Sequence, residues 1–220
     1  MDKTTLAVYD AAAPAFVQRW LTENEPADLY ALFRQFFRPG LTADIGSGSG
    51  RDAAWLTANG FPAIGYDLSE GLLAQARVRF PHIEFKKAAL PELSGIPARH
   101  FDNVCCETVL MHLPRQEIAP AVARMLEILK PGGVIYMSFR ITENADHREK
   151  DGRLFTAYVG DHVRRALAGH EILFDGTVAR PAGGTIQRLI ARAASPRISR
   201  SPRIFWPLTT APSTATRRCR

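Results

Sequence analysis

Residues 41–52 of the chain read LTADIGSGSGRD, and the organisation of the molecule can be worked out from this stretch. Positions 41–46 predict a strand, and positions 51–58 predict the helix that follows it. The turn between them contains three glycines at alternating positions, Gly46, Gly48 and Gly50. Glycines allow the tight turn and the close approach of a ligand to the backbone. Because free N–H groups open the helix, the turn suits a carboxylate or a phosphate.

Outward from this turn, short apolar runs alternate with amphipathic segments as far as about residue 193. This alternation is typical of an α/β protein with a parallel sheet and crossover helices. Further strands are predicted at 63–68, 83–88, 101–107, 134–139, 172–178 and 185–193. Further helices are predicted from Ser69 to Pro81, from Pro114 to Lys130 and at 161–167. Two amphipathic helices, at 6–21 and 27–37, precede the first strand.

The chain has 220 residues, of which 46% are apolar and 23% are charged, and its net charge is +6. This composition is that of a globular protein. Residues 195–220 hold six arginines and no acid, so residues 1–194 sum to zero and offer no sign of a nucleic-acid-binding body. We predict N-terminal helices over 1–38 that cap the active site, a core over 39–194 and an irregular basic tail over 195–220.

No apolar run approaches the ~18 residues that a membrane span needs, and no apolar stretch follows a basic start at the N-terminus. We expect a cytoplasmic protein without a membrane partner.

Cys105, Cys106 and Cys219 match neither a disulfide framework nor a metal-binding pattern, so no metal site is predicted. Cys105 and Cys106 are adjacent in a predicted strand and should point to opposite faces as small buried side chains.

The second predicted strand ends at Asp67, 21 residues after Gly46. An acid at this place can accept both hydroxyls of a ribose, which points to an adenosine-containing ligand. The alternative is an ordinary capping acid beside Ser69. A dinucleotide fingerprint would need glycine where Arg51 stands, so the ligand differs from a dinucleotide.

Four motifs in order extend this pattern: ADIGSGSGRDAAWL (43–56), GYDLS (65–69), FDNVCCETVLMHLP (101–114) and LKPGGVIYMSF (129–139). With them the sequence resembles the class I S-adenosylmethionine-dependent methyltransferases, specifically the small-molecule group called type 11. The resemblance implies a Rossmann-like α/β fold with helices on both faces of a seven-stranded sheet. The implied strand order is 3-2-1-4-5-7-6, with the last strand antiparallel.

The resemblance also implies positions for S-adenosylmethionine, whose product is S-adenosylhomocysteine. The glycine turn and the acid before it would line the methionine part, with Asp67 on the ribose and Leu68 on the adenine. Arg51 and Asp52 would orient the methionine end or form a helix-surface ion pair. Many relatives have an acid for the adenine amino group where this chain has Ala89. The implied cofactor residues are Asp44, Gly46, Ser47, Gly48, Gly50, Arg51, Asp52, Asp67, Leu68, Ala89, Leu90, Glu107 and Thr108.

Methyl transfer is an in-line displacement in which the protein mainly aligns the reacting atoms. His112 follows the fourth strand and is the candidate for a general base, with a packing or hydrogen-bonding role as the alternative. The charged loop 140–153 follows the fifth strand and could cover the acceptor. The candidate substrate-binding residues are Tyr9, His112, Arg140, Phe155 and Tyr158.

The sequence therefore predicts a methyltransferase whose partner is a small-molecule methyl acceptor, and which acts as a monomer or homodimer. An RNA or protein methyltransferase is one alternative, but the chain has no added nucleic-acid module. A non-catalytic module that keeps the cofactor fold is the other alternative.

Overall fold

The computed structural model describes residues 1–22, 25–142, 144–180 and 183–195. Seven strands form one sheet in the order β3-β2-β1-β4-β5-β9-β8, and two short strands, β6 and β7, pair with each other. The strands are β1 (Thr42–Ile45), β2 (Ala63–Asp67), β3 (Glu84–Lys87), β4 (Phe101–Cys106), β5 (Leu129–Arg140), β6 (His147–Arg148), β7 (Leu154–Phe155), β8 (Glu171–Ala179) and β9 (Thr185–Arg192).

Strands β1 to β5 are parallel, and β9 runs antiparallel between β5 and β8. Counting only the strands of the large sheet, this is the order 3-2-1-4-5-7-6 that the motifs implied. The Rossmann-like α/β fold, with its antiparallel last strand, is therefore confirmed. The helices are α1 (Lys3–Ala11), α2 (Ala13–Thr22), α3 (Ala27–Phe36), α4 (Arg51–Ala58), α5 (Glu70–Arg79), α6 (Arg115–Ile128) and α7 (Val159–Ala166).

Helices cover both faces of the sheet, and β4 shows this most directly. Cys105 packs into an apolar cluster with α3, whereas Cys106 packs into the larger cluster with α6 and α7. Both side chains are fully buried, and neither forms a disulfide. The prediction that these two cysteines point to opposite faces is confirmed. A parallel sheet needs this double cover, since its strands are apolar on both sides.

The N-terminal segment differs from its prediction, because the single helix expected at 6–21 is two helices. Helix α1 ends at Ala11, where the Ala12 N–H donates to the Val8 carbonyl, and α2 begins at Ala13. Pro14 explains the break, since it has no N–H to continue the hydrogen bonds of α1 but is tolerated in the first turn of a new helix. The break lets α2 pack Ala13 and Val17 on Leu72 of α5.

Two further differences lie around β5. The prediction gave 130–133 to the end of a helix, but α6 ends at Ile128 and β5 already begins at Leu129, which pairs with Phe101. The ladder is irregular next to this pair, and Gly132 has φ +71°, so the chain enters the sheet through a bulge. The hairpin of β6 and β7 within the charged loop was also not predicted; strands of two residues leave no periodic pattern.

The division into segments 1–38, 39–194 and 195–220 remains a prediction, because residues 196–220 lie outside the described residues. The tail arginines and Cys219 belong to this segment. In the described part of the chain, no helix has the length and hydropathy needed to cross a membrane.

A buried asparagine connects the N-terminal helices to the centre of the sheet. Asn103 of β4 is fully buried, and its side-chain carbonyl accepts from the Arg38 N–H at 2.9 Å. Its amide donates to the Arg38 carbonyl at 2.8 Å and to Thr42 Oγ1 at 3.2 Å. The segment that leads from α3 into β1 is thus held in place by one side chain.

We expect Asn103→Ala to lower the free energy of unfolding by about 1–3 kcal/mol, because it removes the partner of the Arg38 backbone N–H and carbonyl and of the buried Thr42 hydroxyl. Urea denaturation monitored by circular dichroism measures the change. Asn59→Ala is the matched control, since Asn59 is exposed and its side chain forms only surface hydrogen bonds, to the Trp55 carbonyl and from Arg34 Nη2. Equal destabilisation by the two substitutions would contradict this role of Asn103.

Candidate active site

The glycine turn lies at the carboxyl end of β1 and opens α4. Gly46 has φ +75°, and a Cβ at this position would overlap the Val109 side chain, so only glycine fits there. The N–H groups of Gly46 and Ser47 both donate to the Tyr66 carbonyl, at 2.7 and 3.0 Å. The turn is therefore fastened to the end of β2. The Ser47 hydroxyl, which is buried, has no hydrogen-bond partner in the part of the chain that the structure describes.

Asp67, the last residue of β2, sits directly beside this turn. One carboxylate oxygen accepts from the Gly48 N–H and the other from the Ser69 N–H, each at 2.9 Å. Burial raises the pKa of the Asp67 carboxyl, while these two backbone hydrogen bonds oppose the shift. Each oxygen keeps a lone pair for a further donor, as a pair of ligand hydroxyls would require.

Behind the turn, Arg51 and Asp52 form an ion pair at the start of α4. The Arg51 Nε and Nη2 donate to the two oxygens of Asp52 at 2.9 and 3.1 Å, and the Tyr30 hydroxyl donates to Asp52 Oδ1 at 3.1 Å. Asp52 is buried whereas Arg51 is partly exposed, so the ion pair that the sequence offered as one reading of these residues lies between the surface of α4 and the interior. The buried Asp44 lies nearby, and one of its oxygens has no partner among the described residues. Burial, reinforced by the charge of Asp52, raises the pKa of Asp44.

Glu107 and Thr108 follow β4 on the same edge of the sheet. Glu107 Oε2 accepts from the hydroxyls of Tyr136 and Ser138 at 2.6 Å each. The Thr108 N–H donates to the Ser138 hydroxyl at 2.9 Å, so β5 sets the position of both residues. Burial raises the pKa of Glu107. Its carboxyl group is held rigidly, with Oε1 left for a ligand.

His112 is buried and has a defined tautomer. Its Nδ1 lies 2.7 Å from the Leu154 carbonyl, which can only accept, so Nδ1 carries the hydrogen. Nε2 accepts a hydrogen bond from the Tyr9 hydroxyl at 3.1 Å. Arg153 Nη1 donates to the same hydroxyl at 3.3 Å. Burial lowers the pKa of His112 to about 4. The imidazole is therefore neutral near pH 7, and its one lone pair is already used by Tyr9.

Two connected cavities adjoin these residues, and we call them the inner cavity and the outer chamber. The inner cavity holds about 630 Å³, including its open mouth, and lies against Met1, Tyr9, Trp20, Ile45, Gly46, Gly48, Asp67, Leu68, Leu72, Ala88, Ala89, Leu90, Glu107, Thr108, Val109 and His112. The outer chamber is lined by Tyr9, Arg19, Trp20, Gly46, Ser47, Gly48, Ser49, Arg51, Asp52, Glu107, Thr108, Met111, Arg140, Arg153, Phe155, Arg180 and Ile186. The two share six residues, so they form one continuous site.

The structure brings most of the predicted site residues to these cavities, and three are placed elsewhere. Asp44 lies beneath the glycine turn and lines neither cavity. Gly50 faces the other way, since a Cβ on it would approach the Phe85 ring at 2.6 Å. Tyr158 is 46% exposed and lines a separate depression with Asn144. Tyr158 was included because residues 151–158 resemble a segment of the methyltransferase relatives that leads into the next helix; it stands directly before α7, away from both cavities.

Three of the lining residues that the sequence did not assign to the site stand out. Trp20 was noted only as part of an apolar helix face, yet it borders both cavities and lies over Gly48. Arg153 was counted only among the charges of a loop, and Arg19 was not considered. No spacing rule could identify Arg19, because the break between α1 and α2 decides where its side chain lies.

The inner cavity suits a nucleoside. Leu68, Leu72 and Leu90 provide apolar walls for a flat base, and Asp67 provides a half-buried carboxylate for hydroxyl donors. Ser47, with its unpartnered hydroxyl, lies at the polar side of the site. Buried polar atoms without partners are rare in proteins, so the groups here fit a ligand that supplies the missing hydrogen bonds.

Comparison with known proteins agrees with this geometry. Residues 43–133 match the family model described as a methyltransferase domain. The chain is 32% identical over 99 residues to the ubiquinone biosynthesis O-methyltransferase of Aromatoleum aromaticum, covering 43% of this chain and 42% of that protein. It is 35% identical over 100 residues to the trans-aconitate 2-methyltransferase of Methylobacterium radiotolerans, covering 44% of this chain and 36% of that protein. The chain thus spans less than two thirds of the length of these curated relatives.

A solved structure extends the likeness to nearly the whole chain. The 1,6-didemethyltoxoflavin-N1-methyltransferase of Burkholderia thailandensis, crystallised with 1,6-didemethyltoxoflavin and S-adenosylhomocysteine, superposes with a TM-score of 0.70. The alignment covers 87% of this chain and 88% of that one at 21% identity. At this identity the likeness concerns the fold.

The buried histidine makes stability depend on pH. The pKa of His112 is about 4 in the folded protein against about 6.5 unfolded, so the unfolded chain binds the proton more readily. Above pH 6.5 the imidazole is neutral in both states, and its protonation does not change the stability. As the pH falls from 6.5 to about 4, the free energy of unfolding decreases by up to ~3 kcal/mol, because the unfolded chain binds the proton and the folded protein does not. We expect His112→Asn, which keeps a donor for Leu154, to flatten this decline in urea unfolding measured at several pH values. The exposed His82→Asn is the control, and an unchanged decline in His112→Asn would contradict the assignment.

Proposed function

We propose that this chain, which carries a class I S-adenosylmethionine-dependent methyltransferase domain, transfers a methyl group to a small molecule. The match of residues 43–133 to a methyltransferase domain confirms the family that the motifs predicted, and S-adenosylmethionine is its cofactor. The observation that carries the proposal is the continuity of the two cavities through Tyr9, Trp20, Glu107 and Thr108. A cofactor that fills the inner cavity and extends along the glycine turn, and an acceptor in the rest of the outer chamber, would meet at these residues.

The inner cavity would hold the adenosine part of the cofactor. Asp67 would accept the ribose hydroxyls, and Leu68, Ala89 and Leu90 would contact the adenine. No acid stands at Ala89 for the adenine amino group, so backbone carbonyls are the acceptors available there. Recognition of the base then depends more on the apolar walls than on a charged partner.

The glycine turn and the end of β4 would hold the methionine part. Glu107 is a buried acceptor for its amino group, and the open helix start at Ser49 supplies backbone N–H groups for its carboxylate. Arg51 stands beside this position and is oriented by Asp52. Asp44 and Gly50 would act by supporting the turn, since neither lines a cavity.

When bound, the cofactor supplies a methyl group on a positively charged sulfur, and the acceptor lone pair displaces this sulfur, which keeps the electrons of the broken bond. The protein has to align the acceptor, because an error of about 1 Å can cost ~10²-fold in rate. Tyr9, Arg140 and Phe155 border the outer chamber and would position the acceptor. His112 acts through Tyr9: its Nε2 accepts a hydrogen bond from the Tyr9 hydroxyl and so fixes the direction of that hydroxyl.

The relatives support a small acceptor. One is named for ubiquinone biosynthesis and another for trans-aconitate, and the neighbouring crystal structure contains 1,6-didemethyltoxoflavin. The neutral charge sum of residues 1–194 gives no indication of an RNA partner. A homodimer and a monomer both remain compatible with the proposal, as does the expected cytoplasmic location.

The acceptor class can be tested without knowing the acceptor. We expect incubation with methyl-labelled S-adenosylmethionine and a bacterial extract to place the label in the acid-soluble fraction of small molecules. Label in acid-precipitable RNA or protein would contradict the small acceptor while keeping the methyltransferase. Cofactor binding without any transfer would favour the non-catalytic module.

Asp67 gives the sharpest test of the cofactor site. We expect Asp67→Asn to weaken S-adenosylhomocysteine binding by about 1–3 kcal/mol, because the ribose hydroxyls lose a charged acceptor. Isothermal titration calorimetry measures this change. Asp175→Asn on β8, at the opposite edge of the sheet, is the control. Unchanged affinity in a folded Asp67→Asn protein would remove Asp67 from the cofactor site.

A further inference from the structure

Among the described residues, the outer chamber is lined by five arginines but by only two acids, Asp52 and Glu107. Asp52 is neutralised by Arg51 through two hydrogen bonds. Glu107 uses one oxygen for two hydroxyls of β5 and belongs to the cofactor side of the site. The positive charges of Arg19, Arg140 and Arg153 are therefore not balanced by the acids that line the chamber.

Three of these arginines, which we call the arginine wall, are held around two aromatic rings. Arg19 and Arg153 lie over the Phe16 ring, with their guanidinium carbons 5.0 and 5.2 Å from its centre. Arg153 also lies 5.7 Å from the centre of the Phe155 ring, where Arg140 approaches to 4.4 Å. One surface thus brings together residues of α2, of the end of β5 and of the segment directly before β7.

The arginine wall keeps unused donors. In the described part of the chain, the Arg140 side chain donates one hydrogen bond, to Glu149, and Arg153 donates two, to Asp151 and Tyr9. No carboxylate within the described ranges forms an ion pair with Arg19. Each guanidinium has five N–H donors, so most of them are available to a ligand.

Charge explains why such a wall points to an anion. Three cations around shared rings repel one another, and Glu149 and Asp151, which are 38% and 39% exposed, offset only part of this repulsion. The Arg140 and Arg153 side chains are only 23% and 13% exposed, so water screens them poorly. Guanidinium groups match the paired oxygens of carboxylates and phosphates, with hydrogen bonds stronger than those to neutral groups.

We propose that the outer chamber binds the methyl acceptor through an anionic group, a carboxylate or a phosphate, held by Arg19, Arg140 and Arg153. This inference rests on the proposed function, because it assumes that the cofactor fills the inner cavity and the part of the outer chamber next to the glycine turn. The anion would fix one end of the acceptor on the arginine wall. Tyr9, which receives a hydrogen bond from Arg153, would then lie between that anion and the reacting atom.

The test uses the full chain saturated with S-adenosylhomocysteine, titrated calorimetrically with citrate and separately with inorganic phosphate. Trimethyl citrate is the neutral probe of the same skeleton, and sodium chloride keeps the ionic strength equal. We expect one or both anions to bind and trimethyl citrate not to bind; the preferred anion then distinguishes carboxylate from phosphate. Arg19→Gln and Arg140→Gln should each weaken anion binding by about tenfold or more.

Arg164→Gln is the matched control, because Arg164 pairs with Asp175 on α7 and β8 outside both cavities. It should leave anion binding unchanged, and all three variants should keep S-adenosylhomocysteine affinity within about twofold. Failure of both anions to bind at millimolar concentration would overturn the anionic acceptor and leave the methyltransferase intact. Loss of S-adenosylhomocysteine affinity in Arg19→Gln or Arg140→Gln would assign the wall to the cofactor carboxylate instead. Absence of S-adenosylhomocysteine binding by the unaltered chain would overturn the proposed function as well.

Discussion

The hydrogen bond from the Gly48 N–H to Asp67 is the contact on which the rest of the site depends. It joins the turn after β1 to the end of β2, at the edge where parallel strands bring their carboxyl ends together. Because β4 lies on the other side of β1, Glu107 reaches the same edge. Residues far apart in the chain are thus brought together by the strand order alone, and the turn cannot move without breaking this connection.

Burial separates the site into two electrostatic regions. The inner cavity is bordered by Asp67 and Glu107, whose pKa values are raised by burial, and by a neutral His112. The outer chamber is bordered by arginines. Acids that lose solvation favour a ligand with donors or positive charge, whereas crowded guanidinium groups favour an anion. The two regions therefore fit two different ligands, with Tyr9 and Thr108 between them.

The loop after β5 shows how tertiary contacts create the second region. Arg148 donates to both oxygens of Asp2, and the Leu154 N–H donates to Thr5 Oγ1, so the loop is fastened to the start of α1. The loop and the N-terminal helices consequently form one wall of the site. The sequence indicated that both segments could lie near the acceptor, but it contained no signal that they bind each other.

The sequence by itself determined the sheet, the glycine turn and Asp67, since these follow from periodicity, turn chemistry and spacing within a few dozen residues. It assigned Gly50 to the cofactor site and Tyr158 to the acceptor site, although neither residue lines the two cavities, and it extended one helix through Pro14. In each case the outcome depends on which neighbour the residue meets: the Phe85 ring, the start of α7, or the surface of α5. Only the tertiary structure decided the tautomer of His112 and the grouping of Arg19, Arg140 and Arg153. The physical reason is that hydrogen bonding, desolvation and charge repulsion act over a few ångströms in space, between residues whose separation along the chain is unrelated to that distance.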